Sequence, residues 1–127
     1  MRAPPEPKRD RDINHLQPYL IPRVLAILNA MKARGFDAMP FETLRSQARQ
    51  NYLYGIGRRY LLTRKPVTFL DGVHKFSMHQ KGKAVDVVSQ SQLWNAPTSF
   101  WSALKSEAAK VGLHSLGFEK CHVEWRG

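Results

Sequence analysis

Two short segments carry the residue types that chemistry needs. The first is Ser77-Met78-His79-Gln80-Lys81-Gly82-Lys83-Ala84-Val85-Asp86, where a loop histidine is followed by a glycine turn and then by a strand-borne aspartate. Gly82 lets the chain double back, so the imidazole and the carboxylate can reach one ion. The second is Glu119-Lys120-Cys121-His122, which adds an imidazole and a carboxylate just ahead of the last strand. Two histidines and one aspartate leave a fourth position of tetrahedral zinc open, the arrangement a catalytic zinc needs for water. Glu119 and Glu124 compete for the part of a water-activating carboxylate, and Glu124, which shares a strand face with His122, suits a hydrogen-bond partner of that ligand.

With Glu42-Thr43-Leu44-Arg45-Ser46 and Gln50, these segments resemble the zinc peptidase family of D-Ala-D-Ala carboxypeptidases and L-Ala-D-Glu endopeptidases, which includes phage endolysins. The resemblance runs from Phe41 to Trp125. It centres on Ser-x-His-x6-Asp, with Gly and Ala between, followed far downstream by Glu-x-x-His; the order of the two halves makes the combination specific. The resemblance implies that His79, Asp86 and His122 are zinc ligands and that Glu119 is the general base. It further implies that Arg45 stabilises the developing oxyanion, with Ser77 and Gln50 toward the substrate. The implied fold is α+β of the Hedgehog/DD-peptidase-like kind, a small, mainly antiparallel sheet with helices packed on one side and the zinc on the other. The implied activity is hydrolysis of peptidoglycan stem peptides. The Glu-Thr-Leu-Arg-Ser segment and Gln50 look more like the L-Ala-D-Glu endopeptidase branch, with D-Ala-D-Ala carboxypeptidase as the alternative. Two departures stand out. Where many endopeptidase relatives carry Trp-Gly-Gly, this chain has His114-Ser115-Leu116-Gly117-Phe118, and the frequent proline before the second histidine ligand is Cys121.

The elements that must position these residues follow from periodicity. Val24, Leu25, Leu28 and Met31 recur at helical spacing after Pro22, and Gly35 suits an exit, so a helix is expected over 22–34. A short strand is expected within 37–45, and a second helix from Ser46 with Ala48, Tyr52, Leu53 and Ile56 as its apolar positions, ended by Gly55 and Gly57. Residues 59–83 have no clear period and read as a long surface connection. Ala84-Val85-Asp86-Val87-Val88 reads as a strand with Val85 and Val87 on one face and Asp86 on the other. Thr98 or Ser99 can cap a third helix, with Phe100, Trp101, Leu104, Ala108 and Val111 as its stripe and Gly112 as its end. Residues 121–125 alternate like a strand, which sends His122 and Glu124 to one face and Cys121 to the other.

With 127 residues, the chain suits one domain with a real core, read as a flexible basic and proline-rich tail over 1–14 followed by a peptidase domain over 15–127. A lone cysteine cannot form an internal disulfide, so stability must come from packing and a metal. No signal-peptide pattern opens the chain, and the apolar run from Leu16 to Met31 is interrupted by Pro18, Pro22 and Arg23. The expectation is therefore cytoplasmic synthesis without a transmembrane segment; the resemblance further implies action on the bacterial wall as a phage or prophage lysis protein, and a monomeric state is expected. The formal charge of +10 favours anionic partners, here anionic wall polymers. A rival of another class, a basic nucleic-acid-binding protein or metal-dependent nuclease, rests on charge alone, because no groove-reading arginine-rich helix is present. No nucleic-acid partner is expected. His74 and His114 occupy no motif position, and Trp94, Trp101 and Trp125 suit the core or a groove edge.

Overall fold

Pro22 and Gly35 bracket the first helix as their chemistry implies: α1 spans Ile21–Ala33, and Gly35 follows it at φ +89°. The computed structural model describes residues 2–117 and 119–126; Phe118, from the segment that stands in place of Trp-Gly-Gly, lies outside the described residues, as do Met1 and Gly127. The face that α1 buries is Val24, Ile27 and Met31. Leu25, expected in that stripe, is exposed, and Ile27 takes the buried place. Burial of each such side chain contributes about 1.5–3 kcal/mol.

After α1 come β1 (Ala38–Glu42), α2 (Gln47–Gly55), β2 (Ala84–Ser89), α3 (Thr98–Lys110), β3 (His114–Leu116) and β4 (Glu119–Glu124), with a 3-10 turn at Ile13–His15 ahead of them. The strands form one sheet in the order β1-β2-β4-β3, with every neighbour antiparallel. Val85 and Val87 of β2 and Val123 of β4 face a core shared with Leu20, Val24, Ile27 and Met31 of the α1 region and with Phe100, Leu104 and Ala108 of α3. Helices α1 and α3 thus cover one face, and the opposite face is left for polar side chains.

Several boundaries differ from the sequence-based expectation. Thr98 is the first residue of α3 and Pro97 holds its N-cap position, with no side-chain cap bond. The fixed φ of proline already suits that helix entry, so a hydroxyl cap is not what starts the helix. The final strand is β4 over Glu119–Glu124, which moves Glu119 from a loop onto the strand and leaves Trp125 beyond it. His114–Leu116, for which no element is expected from the sequence, is the edge strand β3. In α2, Ala48 is exposed and Tyr52 and Leu53 are only half-buried, whereas Arg49 and Gln50 are buried. That helix is held to the sheet by ion pairs and hydrogen bonds, not by an apolar stripe.

Residues 6–12 run alongside β1 and α2. The Asp10 carbonyl accepts from the Thr43 N–H at 2.8 Å, the Arg9 guanidinium stacks on the Phe41 ring, and the Arg49 side chain reaches both Glu6 and the Pro7 carbonyl. Among the described residues, no helix is long and apolar enough to cross a membrane.

Candidate metal centre and catalytic cleft

Register, rather than any single loop, brings the polar residues together. Glu42 of β1 lies opposite Asp86 of β2, and Asp86 lies opposite His122 of β4, so the three form a row across adjacent strands. Directly opposed residues in a sheet share a face. Because β2 alternates, that face is the one turned away from Val85 and Val87 and from α1 and α3.

His79 enters from the turn before β2. Gly82 adopts φ +68° there, and the His79 carbonyl accepts from the N–H groups of Arg45 and Gly82, which fixes the turn against the start of α2. The His79 Nδ1–H donates to the Thr43 carbonyl at 2.8 Å, which leaves a lone pair on Nε2, 3.1 Å from Asp86 Oδ1. His122 is oriented in the complementary way. Its Nε2–H donates to Glu124 Oε1 at 2.7 Å, and its Nδ1 faces Asp86 Oδ1 at 3.5 Å. One ligand atom from each of His79, Asp86 and His122 lies within 4.8 Å of the others.

This donor set fits a zinc ion. Ligands about 2.0–2.1 Å from a tetrahedral zinc stand roughly 3.3 Å from each other, which the two His–Asp separations bracket. Each imidazole also has its outer nitrogen engaged by an oxygen acceptor, the arrangement that fixes tautomer and ring direction in metal sites. Burial pushes the Asp86 carboxyl up, but the close approach of the two imidazoles outweighs it and holds the group well below the usual range. Burial opposes charge on His122, yet Asp86 and Glu124 raise its pKa overall.

Glu119 stands beside the triad, its carboxylate 3.5 Å from His122 Nδ1 and its side chain 38% exposed. Burial raises its pKa, against the pull of His122. Arg45 lies on the other side, donating to Glu42 Oε1 at 2.8 Å and to Gln50 Oε1 at 2.8 Å, with Nη2 3.8 Å from Asp86 Oδ2. Gln50 is fully buried and donates to Thr68 Oγ1 and the Leu70 carbonyl, so it ties Arg45 to the long connection. Ser77 borders the cleft and is buried, its Oγ accepting from the Gln80 N–H.

A cleft of about 910 Å³ gathers His79, Asp86, His122, Glu119, Arg45 and Ser77. Trp94, half-exposed and packed edge-on against Phe41, forms part of its rim. Trp101 is buried with its Nε1–H on the Ala96 carbonyl, and Trp125 packs against Tyr19. Burial pushes the Cys121 thiol up to about 12, and the thiol is not among the converging ligand atoms. His74 is held by Asp71 in an exposed turn away from the triad.

Two residues of this region, Glu42 and Thr43, carry no role in the sequence reading although they belong to the segment that bears the resemblance. The buried carboxylate of Glu42 lies between two guanidinium groups, Arg45 and Arg49. Thr43 supplies the acceptor for His79 through its backbone, which no side-chain pattern reveals. The signal for Glu42 was an acid just ahead of the Ser46 N-cap with arginines three and seven residues on, a spacing that places both cations near its carboxylate.

The sequence profile described as VanY, D-alanyl-D-alanine carboxypeptidase, matches residues 13–125. No curated protein sequence matches the chain. The fold is similar to that of a vancomycin-resistance D,D-pentapeptidase, VanY from a VanB-type cassette, solved as a point mutant with Zn(II): TM-score 0.70, 15% identity, 99% of this chain and 85% of that one. It is similar to the LdcB LD-carboxypeptidase, with TM-score 0.66 and 18% identity over 88% of this chain, which spans only 59% of that protein's chain. It is also similar to the Serratia marcescens L-Ala D-Glu endopeptidase ChiX, with TM-score 0.54, 18% identity, and 90% and 83% coverage of the two chains.

Proposed function

The chain belongs to the VanY family of D-alanyl-D-alanine carboxypeptidases, and from that premise we propose that it is a zinc-dependent peptidase of peptidoglycan stem peptides, an L-Ala-D-Glu endopeptidase of endolysin type. The observation that carries the reading is the convergence of His79 Nε2, Asp86 and His122 Nδ1 beside a carboxylate, Glu119, that is not needed as a ligand. His79, Asp86 and His122 would hold the ion. When bound, zinc polarises a carbonyl oxygen and lowers the pKa of water toward neutrality.

The chain's own residues supply the rest. Glu119 takes a proton from water and returns it to the leaving amine; a carboxyl raised by burial holds that proton more readily than a solvated one. Glu124 and the Thr43 carbonyl keep the two imidazoles turned inward. Arg45, braced by Glu42 and Gln50, presents a fixed positive charge where the scissile carbonyl gains negative charge. Ser77 hydrogen-bonds the peptide from the cleft wall, and Gln50 serves the substrate through Arg45. The wall polymer's anionic groups meet a protein of charge +10.

A D-Ala-D-Ala carboxypeptidase is the second reading, favoured by the description of the family profile that matches residues 13–125. Endopeptidase action is supported by the Glu42–Ser46 segment with Gln50. Mass spectrometry of digested muropeptides separates the two. Stem peptides released at L-Ala are the expected product, loss of the terminal D-Ala alone selects the second reading, and unaltered muropeptides reject both.

A further inference from the structure

Arg49 is a second buried cation of the cleft that the catalytic scheme leaves unused. It borders the same cavity as His79, Asp86 and His122, and its side chain is only 6% exposed. Its Nε donates to Glu42, whose carboxylate is already shared with Arg45. Glu42 is shared by both guanidinium groups and Arg45 also faces Asp86 at 3.8 Å, so Arg49 is the buried cation that still needs a counter-charge of its own. In this structure Glu6 provides it, 3.3 Å from Arg49 Nη1, with the Pro7 carbonyl on the same nitrogen at 3.1 Å. Glu6 is unlike the other partner. Its side chain is 55% exposed against 3% for Glu42, and it also borders the cavity.

We propose that Arg49 is a specificity-determining residue that recognises a carboxylate of the substrate peptide, and that Glu6 occupies its place as a displaceable stand-in. Exposed ion pairs are weak and exchange readily, so a peptide carboxylate entering the cleft takes over the guanidinium without unfolding anything. The segment that carries Glu6 is built to be held beside the site. Prolines at positions 4, 5 and 7 favour an extended backbone, and the contacts of Arg9 with Phe41 and of Asp10 with Thr43 anchor it further along. Glu6 can leave Arg49 while those anchors stay. The ligand class is an acidic peptide, and the inference rests on the stem-peptide reading above, in which one residue of the peptide is D-Glu.

The test compares a stem tetrapeptide bearing the free D-Glu α-carboxylate with the same peptide amidated at that group. Dissociation constants are read by calorimetry on the full chain carrying Glu119→Ala, which separates binding from turnover. Adding Glu6→Gln tightens the acidic peptide about three-fold and leaves the amidated one unchanged, the size expected for removing an exposed competitor. Arg49→Gln weakens the acidic peptide about ten-fold, to the level of the amidated one, and abolishes the effect of Glu6→Gln. If Arg49→Gln fails to fold, the Glu6→Gln comparison stands alone. Equal affinity for the two peptides, or a Glu6→Gln effect that is absent or the same for both, overturns the assignment. Selective binding of the acidic peptide by a protein that cuts no stem peptide overturns the peptidase reading and leaves Arg49 in its role.

Discussion

The two carboxylates near His122 divide by the ring nitrogen they touch. Glu124 engages Nε2, whereas Glu119 stands 3.5 Å from Nδ1, the atom that faces Asp86. Different losses follow from removing each. Glu119→Ala is expected to keep zinc bound and to lower turnover about 10²–10⁴-fold, the usual worth of a positioned general base. Glu124→Ala is expected to weaken zinc about 10–100-fold while turnover at saturating zinc survives. A chelator competition paired with a peptide-cleavage assay reads both, and loss of turnover in zinc-saturated Glu124→Ala moves the base to Glu124. The ligand candidates were legible because a loop histidine, a glycine turn and a strand aspartate are local features. The brace of Glu42 with Arg45 and Arg49 was not, since a charged residue looks solvated in a sequence until tertiary packing buries it.

Elements place these side chains, and the start of β1 is pinned at Asp37. Its carboxylate accepts from the Ser91 N–H and the Ser89 hydroxyl, and these bonds hold its pKa at about 2 against an ordinary 3.8. A carboxyl lowered on folding contributes stability that is complete above its unfolded value and fades as the pH falls through the folded one. Asp37→Asn should therefore melt below the wild type at about pH 6, with the gap closing as the pH drops from near 3.8 toward 2. Melting curves across that range check it, and a gap that persists unchanged in acid denies Asp37 the role. Helices α1 and α3 and strand β2 were readable because their apolar periods match the faces they bury. Strand β3 is too short to show a period and pairs with β4 across a register irregularity between Ser115 and Leu116, so only the partner strand reveals it. The polar attachment of α2 defeats an amphipathic reading for the same reason that Glu42 was hidden: the face is defined by what it meets.

At the scale of the whole molecule, the strand order β1-β2-β4-β3 decides everything, because it lines up Glu42, Asp86 and His122 from distant parts of the chain. The sequence implies antiparallel strands but not which ones are neighbours, since pairing depends on contacts far apart along the chain. Net charge, by contrast, is read directly. With +10 over 127 residues, attraction to anionic wall should be screened by salt. Raising salt from about 0.05 to about 0.5 M is expected to slow cleavage of intact wall about ten-fold and to leave a soluble stem peptide little affected. Turbidity clearing and peptide chromatography compare the two, and an equal response of both substrates removes charge from the account. The most direct test of the central claim is stem-peptide cleavage by the chelated protein as zinc is returned stepwise. Cleavage should vanish on stripping and recover to saturation at one zinc per chain; cleavage untouched by stripping would contradict a metal held by His79, Asp86 and His122 as the seat of the chemistry.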